Sequence, residues 1–211
     1  MVLCDLPYGV TDCRWDRKID IRRLWEQWRR VAAPGAAVVL FAQGKFIAEL
    51  MNASPYGWFR YDLVWDKRGA SGFLNAKRVP MRAHESVLVF GQRLTYRPQG
   101  LRRVNRPVRA KTGTTVYGAH GNVSRQTHTG YPTSILRFAR EQSAGACAKP
   151  VALLEWLIRS YTAEGAVVLD SAMGLGSAGV AAVRSGREFV GMEIDPERFK
   201  QAKARIEGAV A

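Results

Sequence analysis

The chain has 211 residues, 47% of them hydrophobic and 24% charged, which suits one folded α/β domain with an insertion and excludes a disordered polymer. Its apolar runs, such as Ala166-Val167-Val168-Leu169, are too short to cross a bilayer, and Asp5 breaks the N-terminal apolar stretch too early for a signal peptide. The formal net charge of +14 points to a polyanionic partner.

In chain order, Met1 to Cys4 predicts a short buried strand ending at Asp5. Ile21, Leu24, Trp25, Trp28 and Val31 follow helical spacing, so an amphipathic helix is expected over 20–32, stopped by Pro34-Gly35. Ala36 to Phe41 reads as a buried strand and Phe46 to Met51 as helical. Arg60 to Trp65 and Ser86 to Phe90 are rich in β-branched and aromatic residues and predict strands.

From Arg93 to about Arg140 the periodicity is lost, and Gly, Pro, Thr and Arg dominate. A long stretch without regular structure inside a domain is usually functional, so an inserted recognition region is expected here. Its charge is one-sided. Between Glu85 and Glu141 there is no acidic residue, whereas Arg93, Arg97, Arg102, Arg103, Arg106, Arg109, Lys111, Arg125, Arg137 and Arg140 are basic. Surfaces normally mix signs, so this segment is expected to face nucleic-acid phosphates. Asn105, Arg106, Arg125, Gln126 and His128 are candidates to reach base edges.

Regular pattern resumes at Pro150, which suits a helix's first turn. Leu154, Leu157, Ile158 and Tyr161 mark one helical face. Ala166 to Leu169 predicts a strand ending at Asp170, followed by a glycine-containing turn and a helix over 177–184. Phe189 to Met192 predicts a strand ending at Glu193, and Asp195 caps a helix that starts at Pro196. Strands alternating with helices imply a doubly wound, mostly parallel sheet. The expected organisation is a catalytic half over 1–92, the basic insertion over 93–142 and a cofactor-binding half over 143–211.

Two motifs sit at strand ends, where ligands of such sheets gather. Asp170-Ser171-Ala172-Met173-Gly174-Leu175-Gly176-Ser177 is a strand-to-helix turn whose glycines let the backbone approach a nucleotide, with Glu193 placed to accept from ribose hydroxyls. The plain alternative is a tight packing turn plus a surface acid. Asp5-Leu6-Pro7-Tyr8-Gly9 combines a carboxylate, a carbonyl exposed by Pro7 and a stackable ring, a set suited to an aromatic amine. Alone, it is equally compatible with an ordinary turn. His84-Glu85 is expected as a structural hydrogen-bonding pair ahead of its strand. Cys4, Cys13 and Cys147 have no metal-ligand spacing and read as reduced thiols, so a cytoplasmic protein with no metal site is expected.

Taken together, these motifs resemble the β-class DNA amino-methyltransferases, most nearly the short adenine-N6-specific enzymes of phages and prophages. The resemblance rests on Asp5 to Gly9, Asp12-Cys13-Arg14-Trp15-Asp16, Gly72-Phe73-Leu74-Asn75-Ala76-Lys77, His84-Glu85, Lys149 to Glu155 and Gly191-Met192-Glu193-Ile194-Asp195, in that order over nearly the whole chain. It implies a circularly permuted methyltransferase fold, S-adenosyl-L-methionine as cofactor and double-stranded DNA as partner, with the target base flipped out of the stack. It further implies that Asp5, Leu6, Pro7 and Tyr8 form the catalytic loop. Lys149, Asp170, Ser171, Met173, Gly174, Gly176, Ser177 and Glu193 would hold the cofactor. Lys77, Arg78, Arg97, Arg102, Arg103, Arg106, Arg109, Lys111 and Arg125 would meet DNA. A homodimer is compatible with the resemblance. In this family Asp at the first loop position accompanies adenine and Ser accompanies cytosine N4. Departures are Leu6 for the usual first proline, Gly145-Ala146-Cys147-Ala148 for a polar run, and Ala178 for a common Thr. The resemblance leaves room for cytosine-N4 methylation, for an RNA or protein-glutamine substrate, and for a non-catalytic DNA-binding relative.

Overall fold

The computed structural model describes residues 1–9, 16–108, 125–141 and 148–209. Its first half comprises β1 (Val2–Cys4), α1 (Ile21–Val31), β2 (Val38–Ala42), α2 (Lys45–Ala53), β3 (Phe59–Ser71) and β4 (Arg82–Phe90). The second half comprises β5 (Arg102–Pro107), β6 (Arg125–Thr129), β7 (Ile135–Arg137), α3 (Val151–Tyr161), β8 (Val167–Asp170), α4 (Ser177–Arg184), β9 (Glu188–Gly191) and α5 (Pro196–Glu207). Seven of these strands form one sheet in the order β7-β3-β4-β2-β1-β8-β9. Within it β4 runs against the rest, pairing antiparallel with both β2 and β3; the other pairs are parallel. The expected doubly wound, mostly parallel sheet is the observed one.

Both faces of the sheet are covered, which is why its central strands read as unbroken apolar runs. Side chains alternate between the faces. Leu3, Val39, Phe41, Val87 and Val89 pack with α3 and α4, whereas Val2, Cys4, Val38, Leu40, Leu88 and Phe90 pack with Trp25 and Trp28 of α1 and Phe46 and Leu50 of α2. Trp25 and Trp28 are almost fully buried and meet edge-to-face at 5.2 Å. Burying each ring contributes about 4–6 kcal/mol of apolar transfer, as an upper bound. The helix starts follow local chemistry. Asp20 accepts from the Arg23 N–H at the head of α1, and Asp195 accepts from the Glu197 and Arg198 N–H groups at the head of α5.

The described part of the region expected to lack regular structure contains three strands. β5 and β6 pair antiparallel within a compact unit, Pro98–Thr133, separate from the unit formed by Met1–Arg97 and Ser134–Ala211. In the smaller unit Gly130 sits at φ +80°, and a side chain there would lie 2.5 Å from the Gly100 carbonyl oxygen. β7 belongs to the large sheet, where Leu136 is its buried residue and Val64–Asp66 of β3 are its partners. The Arg97 N–H donates to the Ser160 carbonyl and the Tyr96 ring packs on Tyr161, so these two residues stay with the main unit.

Candidate active site

The parallel strands β1, β8 and β9 are neighbours, so their carboxyl ends bring Asp5, Asp170 and the Gly191–Glu193 segment to one edge of the sheet. The antiparallel β4 presents its amino-terminal part at that same edge, because Ser86 pairs with Ala42 at the end of β2. Four distant stretches of sequence thus converge.

Asp5 is the centre of a charged cluster. Tyr8 donates its hydroxyl to Asp5 Oδ1 at 2.9 Å, and Lys149 Nζ lies 2.5 Å from Asp5 Oδ2. Lys149 also lies 3.3 Å from Glu85 Oε2, in ion-pair rather than hydrogen-bond geometry, and 5.1 Å from the Phe41 ring centroid. Glu85 Oε1 is in turn 2.6 Å from Lys67 Nζ, which stands over the Trp65 ring. Exposure falls along the chain of charges, from 31% at Asp5 to 10% at Lys149 and 7% at both Glu85 and Lys67. Burial opposes the charge on Lys149, but Asp5 and then Glu85 outweigh it and hold the ammonium above its ordinary range. Burial, with the Asp5 charge behind it, pushes the Tyr8 phenol well up, so the hydroxyl keeps its proton. The Tyr8 ring packs on Phe46 at 5.0 Å, and the Leu6 side chain is buried in the core, which leaves Leu6 its main-chain carbonyl for chemistry.

Lys149 has its ammonium on Asp5 and Glu85. Glu85, expected to pair with His84, pairs instead with two lysines, because residues 82–85 continue β4 and adjacent strand residues point to opposite faces.

The second half of the site is the turn after β8. Asp170 is buried; its Oδ1 accepts from the Ala172 N–H at 3.0 Å, and the Cys4 thiol lies against it. Burial raises Asp170 to about 7. The Ser171 hydroxyl accepts from Trp28 Nε1 at 2.9 Å, tying the turn to α1. Glu193 accepts from the Gly174 N–H at 2.9 Å and from the Asp195 N–H at 3.0 Å, so the acid after β9 shapes the glycine turn. A carboxylate has capacity for further donors beyond these two. Gly174 sits at φ +53° with nothing within 4 Å of where a Cβ would be, so the turn opens into free space. Carboxylates, a hydroxyl and an open glycine turn form a donor and acceptor set that fits a nucleoside carrying an amino acid end. Met173 is buried with its N–H on the Met192 carbonyl, and Ser177 accepts from Arg205 of α5 at 3.0 Å.

The expected DNA-facing residues are dispersed. Lys77 and Arg78 are exposed between β3 and β4, in a stretch that also exposes Phe73 and Leu74. Arg97 belongs to the main unit; Arg102, Arg103 and Arg106 on β5 and Arg125 on β6 are exposed in the smaller one. Arg109 and Lys111, most of the Asp12–Asp16 motif, and Cys147 lie outside the described residues. Among the described residues no group of three or more His, Cys, Asp or Glu side chains could hold a metal ion, and no helix is long and apolar enough to cross a membrane.

A doubly wound sheet with a glycine turn and an acid one strand later defines the class: an α/β fold built to hold a nucleoside-like ligand at the strand ends. The chain matches the DNA methylase family of N6 and N4 methyltransferases over residues 1–204 and belongs to that family. It is 44% identical over 59 residues to the type II methyltransferase M2.DpnII of Streptococcus pneumoniae, covering 28% of this chain and 22% of that protein. It is 23% identical over 218 residues to the type II methyltransferase M.HpaI of Haemophilus parainfluenzae, covering 98% of this chain and 68% of that one. The matches to the first four curated relatives span 21% to 26% of those proteins' lengths. In fold it is similar to M1.HpyAVI solved with S-adenosylmethionine, with a TM-score of 0.60 at 22% identity over 97% of this chain and 87% of that one. It is also similar to the cytosine-N4-specific PvuII DNA methyltransferase, with a TM-score of 0.62 at 14% identity over 97% of this chain and 78% of that one.

Proposed function

We propose that the protein is an S-adenosylmethionine-dependent DNA methyltransferase acting on adenine N6 in double-stranded DNA. The observation that carries this reading is the Asp5 carboxylate at the end of β1, adjacent to the strand that ends in Asp170 and its open glycine turn. Substrate and cofactor groups are thereby offered to one crevice. When bound, the cofactor supplies an electrophilic methyl group. Asp170 and the Gly174–Gly176 turn would hold its methionine end, and Glu193 would take its ribose.

The chain's own residues then act on the base. The target adenine leaves the duplex stack, since its amine is unreachable inside it. The Tyr8 ring turns from Phe46 toward the flipped base and frees Asp5 Oδ1. That oxygen accepts one amino hydrogen, and the Leu6 carbonyl accepts the other. The two acceptors orient the nitrogen lone pair away from themselves, so the loop contributes orientation and electrostatics rather than a covalent bond. The amine that gains the methyl group gives up one proton, and Asp5 is the group placed to receive it. The exposed arginines of β5 and β6 neutralise phosphates.

The test is mass spectrometry of nucleosides from DNA incubated with the protein and S-adenosylmethionine. N6-methyladenine is expected and should vanish in Asp5→Ala. N4-methylcytosine would support the second reading, which the likeness in fold to the PvuII enzyme favours. No methylated nucleoside would leave a DNA-binding relative.

A further inference from the structure

We propose that Lys149 and Glu85 are positioning residues of methyl transfer: Lys149 clamps one Asp5 oxygen so that the other faces the base amine, and Glu85, backed by Lys67, holds Lys149 in that place. This rests on the reading of Asp5 as the group that contacts the base.

The geometry carries the inference. Both Asp5 oxygens have a donor, but the donors are unlike. Tyr8 lies outside any helix or strand, in the segment after β1, and its hydroxyl is replaceable by an amine. Lys149 precedes α3, whose Val151 N–H is capped by Glu141 at 2.8 Å, and its ammonium stands 5.1 Å from the centroid of the Phe41 ring of β2. The lysine is therefore the fixed donor and the tyrosine the exchangeable one. A flexible ammonium with three donors has no preferred direction by itself. Glu85 supplies that direction from β4, the strand at the active edge that runs against its neighbours. Glu85 is held in its turn by Lys67 of β3 at 2.6 Å. The groups facing Lys149 are Asp5 from the loop after β1, Glu85 from β4 and the Phe41 ring from β2. Lys67 and Tyr8 act one neighbour further out. Two acids and two lysines balance, so the buried row carries no net charge when all four are ionised.

The arrangement predicts different failures for different variants. Lys149→Met leaves Asp5 free to rotate and Glu85 without its second lysine; kcat should fall about 100-fold or more while the Kd for S-adenosylmethionine changes less than about threefold. Lys149→Arg restores the charge with a non-titrating group and should recover part of the lost kcat. Glu85→Gln preserves shape and removes one of the two charges that keep Lys149 protonated. Its kcat should fall about tenfold near neutrality and decline at a lower alkaline pH than that of the wild type, because one of the two charges that raise the Lys149 ammonium is gone. These assays use the full chain with duplex DNA and labelled S-adenosylmethionine, and thermal melts establish that each variant is folded. If Glu85→Gln fails to fold, Glu85→Asp in a parallel pH series gives the same comparison, with a smaller alkaline loss expected.

Wild-type kcat and pH profile in the folded Glu85 variant would overturn the proposal. So would a Lys149→Met protein that loses cofactor affinity and keeps kcat, since Lys149 would then be a cofactor ligand. Asp5→Ala tests the underlying reading separately. Full activity there removes the reading of Asp5, whereas an inactive Asp5→Ala beside unaffected Lys149 and Glu85 variants removes only the clamp.

Discussion

Asp170→Asn should make the ligand-free protein more stable and less able to bind its cofactor. Burial lifts this carboxyl from an ordinary 3.8 to about 7. At about 1.4 kcal/mol per pH unit, keeping it ionised in the folded state costs about 4 kcal/mol. The sign follows from proton binding. Between about pH 4 and pH 7 the folded state holds a proton that the unfolded chain has lost, so this group's contribution falls as pH rises and is lowest above pH 7. Asparagine keeps the acceptor for the Ala172 N–H and never ionises. At pH 8 it should therefore gain about 2–4 kcal/mol, allowing for a neutral rather than charged hydrogen bond, or about 5–15 °C in Tm for a chain of this size. At pH 4 the advantage should disappear. Thermal melts of wild type and variant from pH 4 to pH 8 measure it, and the difference between the two curves cancels every other titrating group. Titration calorimetry should show the affinity for S-adenosylmethionine lowered at least about tenfold, the size of one charge-assisted hydrogen bond. An asparagine variant that melts below the wild type at pH 8, or a difference that does not change with pH, would refute the account of a carboxylate ionised against its surroundings.

Two further outcomes are expected. Replacing Arg102, Arg103 and Arg106 by glutamine should lower the slope of log affinity against log salt by about 2–3 for duplex DNA, close to 0.9 for each phosphate no longer neutralised; an unchanged slope in filter binding would place the DNA face elsewhere. Asp195→Ala deletes the acceptor of two N–H groups at the head of α5 and should cost about 1 kcal/mol in urea unfolding.

The sequence made the parallel part of the fold legible because its signals are local. Helical spacing marked α1 and α3, Asp20 and Asp195 marked caps, and apolar runs ending in Asp5 and Asp170 marked strands buried on both faces. β5 and β6 escaped because arginine, asparagine, threonine and histidine dominate them and most of their side chains are exposed, so no alternation advertised a strand. β7 contributes one buried side chain, Leu136, too little for a period. The direction of β4 is a property of pairing, which no single strand's sequence reveals. That direction is what places Glu85 beside Lys149. The signal in the sequence was physical rather than periodic: a lysine and a glutamate each adjoin apolar runs, and charges drawn into a core need partners.

The charged residues of the site share a cost to the fold. Lys67, Glu85 and Lys149 occupy space beside Trp65, Phe41 and Val87, which otherwise belong to a continuous apolar cluster. Apolar side chains of similar volume in place of a buried ion pair are often neutral or stabilising by about 1–4 kcal/mol. Asp170, one strand beyond β1, carries its own cost of ionisation. These destabilising charges stand at one edge of the sheet, where the strands that carry Asp5 and the glycine turn end, while the opposite ends of the central strands are filled by apolar packing. Packing alone would have removed them. Charges that a core is often more stable without, gathered where Asp5 and the open Gly174 turn lie at neighbouring strand ends, single out this end of the sheet as the candidate site.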